Sequence, residues 1–261
     1  MSRSLVLFAV VATAVPLHAE SPRPGPTAEG FLLPNGWRIT PAGKQVETAD
    51  LPLNIIPLAD GKRALVACSG FNRHELLLIG LAESKIAARG TAFQSWFGLA
   101  LNKAEDKVWW AGGGADMLHI FSLQDGNLTR SSKPDVNITR LSLDQLEKLP
   151  DTLKKKKNFK AGLCLDESRQ VLYSLDINEG SISAIDLASG ETKTGTLGGR
   201  PYGVLVGPGG RLLYVSDWSR RQVLVVHPTE LRVIDSIRTV LDLPPGVPER
   251  YPACVFWRRL R

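Results

Sequence analysis

Cysteine is scarce in this chain. Cys68, Cys164 and Cys254 are an odd, widely spaced set among 261 residues, which excludes a disulfide framework and offers no metal-ligand pair. Cys68 and Cys164 lie inside strand-like apolar runs, where a thiol serves as a small hydrophobe. Beyond the first twenty residues no stretch is long and apolar enough to cross a bilayer. The chain has no Gly-rich phosphate loop and no G-x-S-x-G elbow, the signatures of phosphate binding and of a serine hydrolase. "GGGAD" at 112–116 reads as a turn between strands, because no helix follows to complete a phosphate cradle. Histidine is sparse as well. His74, His119 and His227 fall in separate repeats without a carboxylate or second histidine at metal-binding spacing, and read as ordinary strand or loop residues. No cofactor or metal is implied. Broad charge is also missing: four of the net +6 charges are the single run Lys154–Lys157, so basicity is local and does not cover the surface.

What is present begins with a leader. "MSR" supplies a short cationic start, "SLVLFAVVATAV" an apolar run too short to span a membrane, and Ala19 a small residue before a polar stretch. Residues 1–19 therefore read as a signal peptide, with a buried core strand or an uncleaved anchor as alternatives, and the mature chain as periplasmic or secreted. Residues 20–30, "ESPRPGPTAEG", read as an extended linker.

One phrase then recurs. "LPLNIIPLADGKRALVACSG", "SWFGLALNKAEDKVWWAGGG", "FKAGLCLDESRQVLYSLDIN" and "RPYGVLVGPGGRLLYVSDWS" each hold an apolar run, a polar turn and a second run. Each is followed by a third strand ("ELLLIGL", "MLHIFSL", "SISAIDL", "QVLVVHP") and a more polar fourth ("KIAARGT", "NLTRSSK", "ETKTGTL", "LRVIDSI"). The landmark Asn54 corresponds to Gly98, Gly162 and Gly203. Four short strands per unit of about 40 residues is the arithmetic of a β-propeller blade. A β-helix coil is shorter than this repeat, and a tandem sandwich would not copy one phrase four times. The fold expected is all-β, with about four four-stranded blades forming an incomplete, open ring over residues 31–261.

Blade chemistry follows. The innermost strands are small and apolar, with a Gly that lets neighbouring blades approach closely. The second strands carry Trp109, Trp110, Tyr173 and Tyr214 to fill the space between blades. The long step from 98 to 162 marks an insertion at 132–157, in which Ser142 and Gln145 are placed as a capping box of a short helix. Residues 44–48 resemble a lone outermost strand, and "YPACVFW" near the end resembles the start of a fifth innermost strand. An arc of this kind should be marginally stable, without a finished central site, and with apolar surface uncovered around Leu213, Val223 and Val225.

These repeats resemble the YncE-like, YVTN-type seven-bladed propellers of exported bacterial proteins. The opening, "LLPNGWRITPAGKQVETADLPLNI", is similar to the lead-in of propeller regions fused to an alkaline-phosphatase-type phosphoesterase domain. The resemblance implies about three further blades and a metal-dependent catalytic domain, neither of which this sequence contains, so no catalytic residue is carried over. A repeat that accounts for nearly every residue and leaves no catalytic constellation reads as a binding or scaffold module and no enzyme; the alternative, from the resemblance, is the propeller portion of such a phosphoesterase.

The loops entering the innermost strands and those leaving the second strands should share one end of the arc. They place Asn54, Trp96, Lys160, Arg200 and Tyr202 with Asn72, Asn178, Asp217 and Trp218, where propellers bind protein or small-molecule ligands. Asp176 and Asp217, which recur after second strands, read as acceptors for turn amides. Lys154, Lys155, Lys156 and Lys157, beside Phe159 and Lys160, form a weaker candidate for single-stranded nucleic acid.

Overall fold

The computed structural model describes residues 23–40, 42–71, 73–131 and 158–239. Contacts divide the chain into two compact units at the bond between Gln45 and Val46. In the first, β1 (Gly25–Thr27), β2 (Gly30–Leu32) and β3 (Arg38–Ile39) form a small antiparallel sheet. Residues 25–30, expected as extended linker, are thus a hairpin in which Gly25 pairs with Leu32 and Thr27 with Gly30. The propeller unit begins at Val46, later than the expected residue 31.

The second unit is a β-propeller arc of four antiparallel four-stranded sheets. Blade one is β4 (Pro52–Pro57), β5 (Arg63–Ser69), β6 (His74–Gly80) and β7 (Lys85–Ala92). Blade two is β8 (Leu99–Leu101), β9 (Lys107–Ala111), β10 (Leu118–Gln124) and β11 (Asn127–Arg130). Blade three is β12 (Lys160–Asp166), β13 (Val171–Asp176), β14 (Ser181–Asp186) and β15 (Thr192–Thr196). Blade four is β16 (Pro201–Val206), β17 (Leu213–Asp217), β18 (Gln222–Val226) and β19 (Val233–Arg238). Within each blade the strands pair in chain order, as short polar turns require. The "GPGG" turn between β16 and β17 is a 3₁₀ turn at Pro208–Gly210, where Gly209 and Gly210 both adopt positive φ.

Packing between blades comes from the period-2 alternation of the two middle strands. Blades one and two share a core of Leu65, Leu76, Leu78, Trp110 and Phe121. Trp109 and Ala111 of blade two meet Leu163 and Leu172 of blade three. Tyr173, Leu175 and Ile182 of blade three meet Leu213, Val215 and Leu224 of blade four. Among the described residues no such cluster joins blade four back to blade one, so the ring is open as expected. The innermost strands touch backbone to backbone. A Cβ on Gly98 would lie 2.0 Å from the Ala161 carbonyl oxygen, and one on Gly162 would lie 2.5 Å from that of Tyr202.

Two expectations about the arc's flanks are corrected. Residues 44–48 form no strand. Instead Val46 and Ala49 pack on the outer face of blade one, against Val66, Cys68, Leu77 and Ile79. Apolar contact there replaces a ladder, and acts as the cap that an end repeat needs. On blade four, Leu213 and Val225 are buried and Val223 half-buried. Leu213 points into the core shared with blade three, and Val225 is the cross-strand partner of Tyr214. Among the described residues the exposed large apolar side chains on the strands of blade four are Leu205 and Ile237, each about half exposed, and Ile234. Residues 1–22, the insertion at 132–157 with Ser142 and Gln145, and residues 240–261 with Cys254 lie outside the described residues.

Candidate functional site

Residues from all four blades meet at the end of the arc where the innermost strands begin. Asn54, on β4, donates its side-chain amide to the Phe97 carbonyl at 2.8 Å and so ties blade one to the segment entering blade two. That segment carries Trp96 and Phe97. Trp96 is held from both sides: its N–H donates to the Ala111 carbonyl (2.7 Å), and its carbonyl accepts from the buried Trp110 indole (2.6 Å). Its own indole N–H donates to the Tyr202 hydroxyl at 3.0 Å, which reaches from blade four. Phe159, at the entrance to blade three, meets the Trp96 ring edge-on at 5.4 Å.

The Tyr202 ring is stacked twice. Phe97 lies parallel to it at 4.5 Å and 5°, and Trp218 at 3.7 Å and 18°. Two rings stacked so closely on one ring must occupy its opposite faces. The order is therefore Phe97, Tyr202, Trp218, and the far face of the Trp218 indole ends the stack with 56 % of the residue exposed. Parallel stacking at these distances adds about 1 kcal/mol per pair beyond area burial. Burial also pushes the Tyr202 phenol above its ordinary value, although the Trp96 hydrogen bond opposes this.

The polar candidates divide by role. Asp217 is 1 % exposed. One carboxylate oxygen accepts from the Arg200 N–H, the Ser219 N–H and the Ser219 hydroxyl, and the other from Gln222. Burial raises the acid's pKa, but these donors outweigh burial and hold it below the usual range. Asp176 repeats the arrangement in blade three, accepting from the N–H groups of Phe159, Asn178 and Glu179. Both acids bond turn amides, as their recurrence implied. Lys160 lies between Asp116 and Asp176, its ammonium 3.4 Å from each, and clamps blade two to blade three. The main-chain carbonyl of Arg200 accepts from the Trp218 N–H at 3.1 Å, while its exposed side chain makes no bond within the described residues. Arg220 is also exposed, its nearest acid being Asp217 at 3.9 Å. The structure thus brings Asn54, Trp96, Tyr202 and Trp218 into one connected cluster and uses Lys160 and Asp217 to frame it. Asn72 and Lys154–Lys157 lie outside the described residues.

Sequence reasoning missed a second polar network, between blades one and two. His119 is fully buried. Its Nε2–H donates to the Gln94 carbonyl, and its Nδ1 accepts from Arg130 at 2.9 Å. Burial, reinforced by the Arg130 charge, lowers its pKa to about 4. His74 Nδ1 accepts from the Ser95 N–H (3.0 Å) and lies 2.8 Å from the Ser95 hydroxyl, which meets Ser69 at 2.8 Å. Burial lowers this imidazole's pKa as well. The Ser95–His74 pair has the reach of a nucleophile and its base, but Ser95 is only 3 % exposed and its partners are structural. The two imidazoles hold the crossover at Gln94–Ser95 in place. No residue spacing announced this, because the partners come from four strands and a loop. Cys68 is buried, and the Cys164 sulfur accepts from the Val206 N–H at 3.3 Å; burial raises both thiols' pKa values. Among the described residues no group of histidines, cysteines and acids is placed to hold a metal. A cleft of about 370 Å³ on blade one is lined by Asp50, Arg73, Glu75 and Arg89, and its buried Glu75 is bound to Arg89 at 2.5 Å.

No family model and no curated protein matches the chain. Solved structures do match in fold. A protein from Lactobacillus plantarum superposes with a TM-score of 0.58 at 12 % identity, over 84 % of this chain and 64 % of that one. The β-propeller domain of Cps50 (Swd1) from Myceliophteria thermophila gives 0.51 at 17 %, over 72 % and 59 %. The periplasmic gluconolactonase PpgL of Pseudomonas aeruginosa gives 0.51 at 16 %, over 72 % and 54 %. The class is therefore the β-propeller, and the chain spans between 54 and 64 % of the length of these three proteins. Among the described residues no helix is long and apolar enough to cross a membrane.

Proposed function

We propose that this chain is an exported, YncE-like propeller module that binds a ligand at the end of the arc where the four blades converge. The observation that carries the reading is the stack Phe97–Tyr202–Trp218, which is fixed at its base by Trp96 and Asn54 and ends on an open indole face. A large aromatic surface held rigid by its neighbours yet left in water costs free energy in the unbound state, and a ligand that covers it recovers that cost. The side chains that would do acid–base or nucleophilic work are elsewhere or committed: Ser95 is buried, and Asp217 is saturated by its own loop. Binding is the chemistry this end supports best. One match being a gluconolactonase brings only its fold to the comparison, since identity is 16 %.

The test is tryptophan-fluorescence titration of the purified chain against a panel of small ring compounds, with Trp218→Ala as control. Saturable quenching that the variant lacks is the expected result. Quenching that survives in Trp218→Ala refutes this site, and turnover of a phosphate ester or lactone by the chain alone refutes a purely binding role. Fractionation of cells expressing the full sequence checks export: retention in the cytoplasm with residues 1–19 uncleaved refutes it.

A further inference from the structure

The surroundings of Trp218 narrow the ligand class, an inference that rests on the binding reading above. The platform is a flat indole face: the stack adds planar layers at 3.7 and 4.5 Å, so its open end accepts one more flat or chair-like ring. Its rim is cationic. Arg200 is joined to Trp218 through the main chain (Trp218 N–H to Arg200 carbonyl), and its guanidinium has no partner among the described residues. Arg220, two residues past Trp218, lies over the loop at Gly198, and its side chain is 56 % exposed. The acid of this corner, Asp217, is buried and accepts from Arg200 N–H, Ser219 and Gln222; its carboxylate lies 3.9 Å from the Arg220 Nε and offsets part of that charge, whereas the Arg200 side chain has no acid partner among the described residues. An open aromatic face beside two exposed arginines, of which Arg200 has no acid partner among the described residues and Arg220 is only loosely paired, is a layout suited to a ring that carries its own negative charge. Arginine's planar fork binds a carboxylate by two parallel hydrogen bonds while the ring stacks.

We infer that the site takes a small anionic ring compound, one carboxylate on a six-membered ring, lying on Trp218 with its charge toward Arg200 and Arg220. Two sources share this chemistry: a uronate sugar, whose C–H face packs on indole, and an aromatic carboxylate, which stacks flat.

Isothermal titration of the full chain with D-galacturonate, benzoate and their neutral counterparts D-galactose and benzyl alcohol tests this. At least one anion should bind ten-fold or more tightly than its neutral partner. That preference should fall about ten-fold in Arg200→Gln/Arg220→Gln and weaken steeply with salt. Which of the two anions binds identifies the source. Equal binding of anion and neutral partner, with Trp218 still required, overturns the anionic inference and leaves the binding site standing. An anion preference unchanged in the double variant overturns the role of the arginines. Failure of all four probes to bind at millimolar concentration overturns the inference, and the fluorescence panel then decides separately whether Trp218 is a binding surface.

Discussion

Acidification from pH 7 to 4.5 loads the packing of His119. The imidazole is fully buried, donates through Nε2–H to Gln94, and accepts from Arg130 at Nδ1. Adding a proton to Nδ1 would set a second donor against the Arg130 guanidinium, inside a site already poor in water. The folded value of about 4, against an ordinary 6.5, follows from burial first; the Gln94 hydrogen bond opposes it and the Arg130 charge adds to it. The unfolded chain therefore binds this proton more readily than the folded one. The stabilising effect is complete above about pH 6.5 and is lost as pH falls toward 4, with a full magnitude of about 3 kcal/mol. By pH 4.5 roughly 2.5 kcal/mol should be gone, a large share of the 5–15 kcal/mol typical of a folded domain. His74, also lowered by burial, acts in the same direction. Urea unfolding followed by circular dichroism at several pH values between 7 and 4.5 measures the slope. His119→Gln keeps one donor and one acceptor but cannot titrate, so its stability should depend on pH more shallowly by about 2 kcal/mol over that range. Parallel pH profiles for wild type and His119→Gln would refute the reasoning, whatever the absolute stability of the variant.

Three other outcomes follow from the contacts between blades. Gly98→Ala places a methyl into the Ala161 carbonyl and should cost about 3 kcal/mol in thermal or urea unfolding, whereas the same change at Gly126, whose Cβ position is open, meets no clash and costs only the roughly 1 kcal/mol of its positive φ. A cost at Gly98 no larger than at Gly126 would contradict direct contact between the innermost strands of blades two and three. Trp110→Ala removes a fully buried indole from the core of blades one and two and frees the Trp96 carbonyl, with an expected loss of about 4 kcal/mol. Tyr202→Phe leaves the stack in place but strands the Trp96 indole N–H. It should cost about 1 kcal/mol and leave Trp218-dependent ligand quenching intact, a combination read by unfolding and titration together.

The repeat was legible because blades are written locally. Short continuous apolar runs in 63–69 and 74–80, a polar turn between them, and the same pattern three times more specify strands and their in-order pairing without any distant partner. The glycines at 98 and 162 could be placed at an innermost strand for the same reason, and the acids at 176 and 217 at turns whose amides lie within a few residues. What the sequence could not decide depends on residues far apart in the chain. Val46 and Ala49 carry no strand pattern that separates a fifth ladder from a hydrophobic cap; the outer face of blade one, left bare, selected the cap. Trp96 and Tyr202 are 106 positions apart, and only the approach of blades two and four puts an indole N–H within 3.0 Å of that hydroxyl. The same approach turns Lys160 and Asp217 into framework and leaves Trp218 open. Strand and turn are set by neighbours in sequence, whereas which side chains are used up in holding the blades together, and which remain for a ligand, is settled only when the blades pack.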